Sequence, residues 1–180
     1  EEYVQVPGAD WKHPQGPDSS IDERLNEPVV NISQFDASNY CRWANQGWLP
    51  QETQWEKAAR GLTPVLYPWG ENEPTLELAN YSGEPFEMTA DIREYPDGVS
   101  PFGIWNMAGN VAEWMDNFYA ADAYELGMYW PMTATEYVTR GGSFQSDPVG
   151  LRTSDRNPVP MMVESADDIG FRCVVHAQPN

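Results

Sequence analysis

The sequence predicts an α+β domain in which two helices lie on a small, twisted, mainly antiparallel sheet with long irregular loops. Two segments with helical periodicity follow each other between Ser33 and Gly61. The strand-like runs are short, and long stretches rich in proline and glycine separate them. Because helices and strands form separate groups rather than alternating along the chain, the α+β class is favoured.

The chain is acidic. It has 180 residues, a formal net charge of −18 and a pI of about 4.2, and this length suffices for a single domain, residues 1–180, with its own core. A surface of this charge repels phosphate backbones, so a cation or a basic protein is a more fitting partner than nucleic acid. No run reaches the ~18 apolar residues that a direct membrane span needs.

Short strands are expected at residues 3–6, 28–32, 137–140 and 169–175, where β-branched and aromatic residues dominate. Strands and long loops are expected over residues 61–102, and the segments 114–132 and 157–168 are expected to be irregular. Proline, glycine and polar residues interrupt any regular period there.

The first helix is expected to begin at Ser33 or Asp36, both good N-cap residues, and to end near Asn45, before Gly47. Aromatic and apolar residues recur at helical spacing in this first helix, at Phe35, Tyr40, Trp43 and Ala44. The second helix is expected over residues 51–60. Its predicted apolar face consists of Trp55, Ala58 and Ala59.

The segment 103–114, GIWNMAGNVAEW, is the candidate functional turn. Gly109 and Asn110 form a turn dipeptide, since both tolerate positive φ. A tight turn aims successive carbonyls into one concavity, and Asn106, Asn110 and Glu113 add side-chain oxygens. Ca²⁺ takes such oxygen ligands. The alternative is that Asn106 and Glu113 simply hydrogen-bond the backbone of the turn.

A second cation site is possible in the acidic loop that precedes this turn, where Asn80, Glu87 and Asp91 carry oxygens, but a solvated acidic loop is the favoured explanation. The two cysteines, Cys41 and Cys173, are far apart and belong to no Cys-x-x-Cys motif, which excludes a zinc ribbon or thioredoxin-like site. They are either two inert core thiols or one long-range disulfide, and a disulfide implies an oxidising compartment.

A set of motifs, in a fixed order over nearly the whole chain, resembles one family. The motifs are WKHPQGPDSSI (11–21), AxxYCxWA (37–44), LPxExxWExAxRG (49–61), YPWG (67–70), GIWNMxGNVxEW (103–114), RGGSF (140–144), RxxxR (152–156) and IGFRC (169–173). Together they are similar to the formylglycine-generating enzyme, or sulfatase-modifying-factor, family. That resemblance implies a variant of the C-type-lectin fold.

The resemblance also implies metal ligands and a disulfide. Asn106 and Glu113 match residues that give side-chain oxygens to Ca²⁺, and Gly109 and Val111 match residues that give carbonyls. A second, weaker calcium loop of the family follows the position of Asn80 and Tyr81, and this loop is shorter here. Some members of the family pair the cysteines that match Cys41 and Cys173, which implies an extracytoplasmic location, that is periplasmic, secreted or at the cell surface.

The sequence departs from the enzymes of this family where they place their copper-binding cysteine pair, after Gly-Gly-Ser. Ser146 stands at the first cysteine position, and no cysteine occurs between Gly142 and Arg172. A hydroxyl cannot replace a thiolate as a copper(I) ligand. An iron-dependent sister branch, the ergothioneine-pathway sulfoxide synthases, uses several histidines, whereas only His13 and His176 occur here.

Two functions therefore remain. The first is a non-catalytic, calcium-stabilised binding or structural subunit with a protein partner. The resemblance implies a strand-and-loop segment ahead of the motif that begins at Trp11, so a separate N-terminal segment that completes the domain is expected as an alternative partner. The second is an enzyme with altered oxidative or peptide-modifying chemistry. Its groove residues are Ser143, Ser146, Asp147, Arg152 and Arg156, although the arginines serve equally well to pair with the acidic excess.

Overall fold

The computed structural model of the chain describes residues 6–82, 88–126, 133–163 and 165–176. These ranges contain three α-helices, one short 3₁₀ helix (Pro96–Gly98) and four strands: α1 (Gln34–Asn45), α2 (Glu52–Arg60), β1 (Ala112–Phe118), α3 (Ala123–Leu126), β2 (Glu136–Arg140), β3 (Asn157–Pro160) and β4 (Ile169–Gly170). The sheet has the order β3-β2-β1-β4, with a parallel β1–β4 pair and two antiparallel pairs. The predicted small, mainly antiparallel sheet is confirmed.

Strand β1 lies between β2 and β4 in the sheet, and both of its faces are buried. Trp114 packs in one core cluster with Ala37 and Cys41 of α1. The next residue, Met115, packs in another cluster with Trp55 of α2. Successive side chains of a strand point to opposite faces, so α1 and α2 cover opposite sides of the sheet.

Both predicted helices are confirmed, with capping that follows from their sequences. The Ser33 side chain accepts a hydrogen bond from Asp36 N at 3.0 Å and begins α1. Gln46, with φ of 53°, ends it. Gly47 then allows Val174 to approach, since a Cβ at Gly47 would lie 2.3 Å from Val174 O. A capping box between Gln51 and residue 54 begins α2.

Two predictions of irregular structure were wrong. Residues 112–118 form the central strand rather than a loop, and their lack of alternation follows from burial on both faces. Residues 157–160 form the strand β3, which carries two prolines and lies at the edge of the sheet. Proline is tolerated there because an edge strand needs fewer backbone donors.

Two predicted strands also differ from the structure. Residues 28–32 are irregular, since Asn31 adopts a φ of 53° and donates its backbone N–H to Ala166 O. The C-terminal strand is limited to Ile169–Gly170, followed by an isolated bridge between Val174 and Trp48. The predicted strand at residues 3–6 lies largely outside the described residues.

The disulfide expected between Cys41 and Cys173 is present and joins α1 to the segment after β4. It closes a sequence separation of 132 residues, which corresponds to a stabilisation of about 4–5 kcal/mol in the chain-entropy treatment. Among the helices in the described part of the chain, none combines the length and apolar character needed to cross a membrane.

Candidate functional site

The candidate turn has the backbone that its sequence predicts. Gly109 and Asn110 have φ values of 74° and 68°, and Asn106 has a φ of 50°. A side chain at Gly109 would place its Cβ 2.3 Å from Asn80 O, so only glycine fits there. The turn therefore packs directly against the loop that holds the second predicted cation site.

Glu113, the predicted carboxylate ligand, is buried at the start of β1, and Trp55 and Arg172 hold it through three hydrogen bonds. Its Oε2 accepts from Trp55 Nε1 at 2.7 Å and from Arg172 Nε at 2.6 Å. Arg172 also donates to the carbonyl oxygens of Trp105 and Asn106, at 3.1 Å each. Burial opposes the charge on Arg172, but Glu113 favours it more, so the pKa of Arg172 is raised. Sequence reasoning missed this ion pair, although Arg172 belongs to the IGFRC motif.

The asparagines of the turn bind a neighbouring loop and not the backbone of the turn itself. Asn110 accepts from Ala90 N at 2.8 Å and donates to Ala90 O at 3.0 Å. Asn106 donates its side-chain nitrogen to Ile92 O at 3.0 Å. The side-chain oxygen of Asn106 has no hydrogen-bond donor among the described residues.

The residues of the turn fit a calcium ion in donor chemistry. A carboxylate offers about four acceptor positions, and the three donors on Glu113 leave one of them open. Asn106 Oδ1 and the carbonyls of Gly109 and Val111 belong to the same turn, and hard oxygens are the ligands Ca²⁺ prefers. The described residues contain no group of three or more His, Cys, Asp or Glu that can hold a metal, so carbonyl and amide oxygens must contribute.

The second predicted site contains an orphaned acceptor. Asn80 is buried, and its Oδ1 has no hydrogen-bond partner in the described part of the chain. Its Nδ2 donates to Met88 O at 2.9 Å. Tyr81 donates its hydroxyl to Pro74 O at 3.0 Å. Glu87 lies outside the described residues. A bound cation would satisfy the buried oxygen of Asn80, whose unmade hydrogen bond is costly.

The structure brings Ser143, Ser146 and Asp147 together in the loop after β2, where their side chains form hydrogen bonds within the loop and, from Ser143, to Asp168 before β4. Ser146 Oγ accepts from Ser143 N at 2.9 Å, and Ser143 Oγ donates to Asp168 Oδ2 at 2.7 Å. Asp147 Oδ1 accepts from the backbone N–H groups of residues 149 and 150. The loop is thus folded around its own hydroxyl and carboxylate groups.

The two arginines of the RxxxR motif have different roles. Arg156 donates to both carboxylate oxygens of Glu52, at 2.6 and 2.8 Å, and to Ala120 O. The hydrogen bonds to Glu52 raise the pKa of Arg156. Arg152 is half-buried, and its Nε has no partner among the described residues. Arg156 is therefore structural, and Arg152 is the groove candidate with an unused donor.

Arg140 forms a buried charge network that sequence reasoning missed. Its guanidinium donates to Glu56 Oε2 at 2.7 Å and to three backbone carbonyls in residues 153–155. It also lies 5.3 Å from the Trp55 ring. Burial raises the pKa of the neighbouring Asp155 carboxyl, although Arg140 opposes this rise. The only signal of this network in the sequence was that Glu52 and Glu56 belong to one of a set of motifs that also contain arginines.

Comparisons with known proteins agree over nearly the whole chain. A sequence model of the sulfatase-modifying factor enzyme 1-like domain matches residues 1–177. The formylglycine-generating enzyme of Thermomonospora curvata is 39% identical over 95% of this chain and 63% of its own length. The inactive C-alpha-formylglycine-generating enzyme 2 of Mus musculus is 31% identical over 97% of this chain and 58% of its own length.

A solved structure is also similar. PvdO from Pseudomonas aeruginosa superposes with a TM-score of 0.73, covering 93% of this chain and 68% of PvdO, at 22% identity. At that identity the similarity concerns the fold alone. The chain spans less than two thirds of the length of the two curated relatives.

Proposed function

Because this chain belongs to the sulfatase-modifying factor enzyme family, with its variant of the C-type-lectin fold, we propose that it is a non-catalytic member of that family. It acts as a calcium-stabilised binding or structural subunit in an extracytoplasmic compartment. The state of its cysteines supports this most directly. The chain has two cysteines, and both belong to the Cys41–Cys173 disulfide. No thiolate is then left to hold copper(I), which selects soft sulfur ligands.

The loop after β2 supports the same proposal. Ser146 occupies the first cysteine position, and its hydroxyl accepts a hydrogen bond from Ser143 N within the loop. A serine hydroxyl bound in this way offers neither a nucleophilic thiolate nor a free ligand. The family also includes a mouse protein whose name states that it is inactive, and that protein is 31% identical to this chain.

In this proposal, bound calcium stabilises the folded state of the chain. Asn106 and Glu113 would give side-chain oxygens, and Gly109 and Val111 would give carbonyls. A divalent cation at the turn would offset part of the −18 net charge. A ligand that binds only the folded state stabilises it by mass action, about 2.7 kcal/mol at a hundredfold excess over Kd.

The test combines metal analysis with thermal unfolding of the purified chain. Calcium is expected to raise the Tm, EGTA to reverse the rise, and magnesium at equal concentration to give less. Asn106→Leu is expected to abolish the response to calcium. The control is Asn72→Leu, which removes an exposed asparagine side chain outside the turn. Bound copper or iron in stoichiometric amount, or a Tm indifferent to calcium, would contradict the proposal.

An enzyme with altered oxidative or peptide-modifying chemistry is the second candidate. The 39% identity to a protein named formylglycine-generating enzyme supports this candidate equally well. Arg152, whose Nε has no partner among the described residues, is the side chain of the predicted groove set that remains available for a substrate. A cysteine-containing peptide incubated with the chain, oxygen and copper separates the two candidates by mass spectrometry. Conversion that is lost in Arg152→Met favours the enzyme, and an unchanged peptide favours the binding subunit.

A further inference from the structure

The outer face of α1 is aromatic although it faces solvent. Phe35, Tyr40 and Trp43 are 70%, 50% and 81% exposed, whereas Ala37 and Cys41 on the opposite side are fully buried. The helix therefore buries its small residues and exposes its large ones. The rings of Tyr40 and Trp43 are in contact, with their centroids 5.8 Å apart, and exposed apolar patches mark interaction sites.

This face continues into an open groove of about 740 Å³. One wall is α1, another is the loop that precedes it, and Phe171 closes the third side, with its ring 5.5 Å from that of Tyr40. Its apolar lining includes Trp11, Ile21, Leu25, Ile32, Tyr40 and Phe171. The volume falls within the range of about 300–1,000 Å³ that is typical of ligand-sized sites, so the groove holds a few side chains rather than a whole domain.

One end of the groove is acidic. A smaller concavity of about 280 Å³ shares Leu25, Arg24 and Glu27 with the groove and adds Asp22, Glu23 and Asp91. The only arginine in it, Arg24, is held by Glu27 at 2.7 Å and by Thr89 at 2.7 Å. Asp22 and Glu23 are exposed and have no ion pair among the described residues. The end of the groove is therefore net negative.

We propose that this groove docks a short segment of a basic partner polypeptide, with apolar side chains in the groove and a lysine or arginine in its acidic end. This inference rests on the binding role proposed above and names the partner's chemistry. Charge favours such a partner over a second copy of the chain, because two molecules of net charge −18 repel each other.

The test measures the fluorescence anisotropy of a labelled synthetic peptide in which lysine alternates with leucine and phenylalanine. We expect saturable binding that weakens as salt rises from low to high ionic strength, because exposed charges are screened. A peptide of the same pattern with glutamate in place of lysine is expected not to bind.

Two matched pairs of variants locate the binding. Leu25→Ser is expected to weaken binding about tenfold, since the variant loses the apolar surface that the leucine would bury against the peptide. Leu62→Ser, at a comparably exposed leucine (87% against 76%) outside the groove, is expected to have no effect. Glu23→Gln is expected to weaken binding about threefold and Glu125→Gln to leave it unchanged. All four side chains are exposed, so these variants are expected to fold, and near-UV circular dichroism checks this.

Three results would overturn the inference: equal weakening by both members of a pair, binding of the glutamate peptide, or a dimer that Leu25→Ser dissociates in sedimentation velocity. The last result would make a second copy the occupant. Because calcium binding and copper content are measured independently of the peptide, failure at the groove is distinguishable from failure of the proposed function.

Discussion

The two long helices bury opposite kinds of residues. Helix α2 directs two carboxylates into the interior, where Glu52 meets Arg156 and Glu56 meets Arg140. Helix α1 exposes its aromatic residues, with Trp43 81% exposed, whereas Trp55 of α2 is 1% exposed. The two helices are also attached to the rest of the domain by different interactions. Helix α1 carries the disulfide to Cys173, whereas α2 carries the buried ion pairs.

This difference shows that helical periodicity identifies a helix but does not identify its buried face. A carboxylate can be interior when an arginine from a distant strand compensates its charge. An aromatic face can be exterior when it serves a partner. Substitutions on each helix are therefore expected to have different effects on stability.

The largest effect is expected from the buried ion pair of α2. Arg140→Met removes the fully buried cationic partner of Glu56 and the donors of three backbone carbonyls, which costs about 3–5 kcal/mol of unfolding free energy. Arg60→Met removes the other arginine beside Glu56, but that side chain is partly exposed, so at most about 1 kcal/mol is expected. Urea unfolding followed by tryptophan fluorescence measures both. Equal losses would show that α2 is not attached by its interior charges.

A smaller effect is expected from the two tryptophans. Trp55→Phe leaves a cavity and removes the indole hydrogen bond to Glu113, a loss of about 2 kcal/mol. Trp43→Phe is expected to change stability by less than about 0.5 kcal/mol, as exposed positions usually do. The same unfolding experiment compares them. A large loss for Trp43→Phe would mean that the outer face of α1 already supports the fold of the single chain.

The smallest effect concerns pH and Asp155, which adjoins the Arg140 network. Burial raises the pKa of this carboxyl above its ordinary value of 3.8, so the fold disfavours the ionised form. Asp155→Asn is therefore expected to raise stability at pH 7 by less than about 1 kcal/mol. The gain is expected to vanish below the unfolded pKa, where both states are protonated.

Asp10 provides a control for Asp155, because its pKa is shifted in the opposite direction. The backbone N–H of His13 is the main cause that lowers the pKa of Asp10, so the fold favours its ionised form. Asp10→Asn is expected to lower the Tm at pH 7, and this loss is expected to disappear as pH falls through the folded pKa. Thermal unfolding from pH 7 to acid pH measures both variants. A shift of the same sign in both would contradict the assigned causes.

Local features could be predicted from the sequence because neighbouring residues decide them. Ser33 and Gly61 bound the helices through capping and chain reversal, and Gly109 with Asn110 bend the candidate turn through their tolerance of positive φ. Distant residues decided what these elements contact. Arg172 and Glu113 are 59 residues apart, and Arg140 and Glu56 are 84 apart. No local pattern links such pairs.

The sequence by itself determined the family motifs, the two helices and the lack of any cysteine beyond Cys41 and Cys173. Only the tertiary structure placed β1 between the helices, paired Glu113 with Arg172 and turned the aromatic side of α1 outwards. The physical reason is that capping and turn preferences act over a few residues. Burial and charge compensation depend on which distant segments meet.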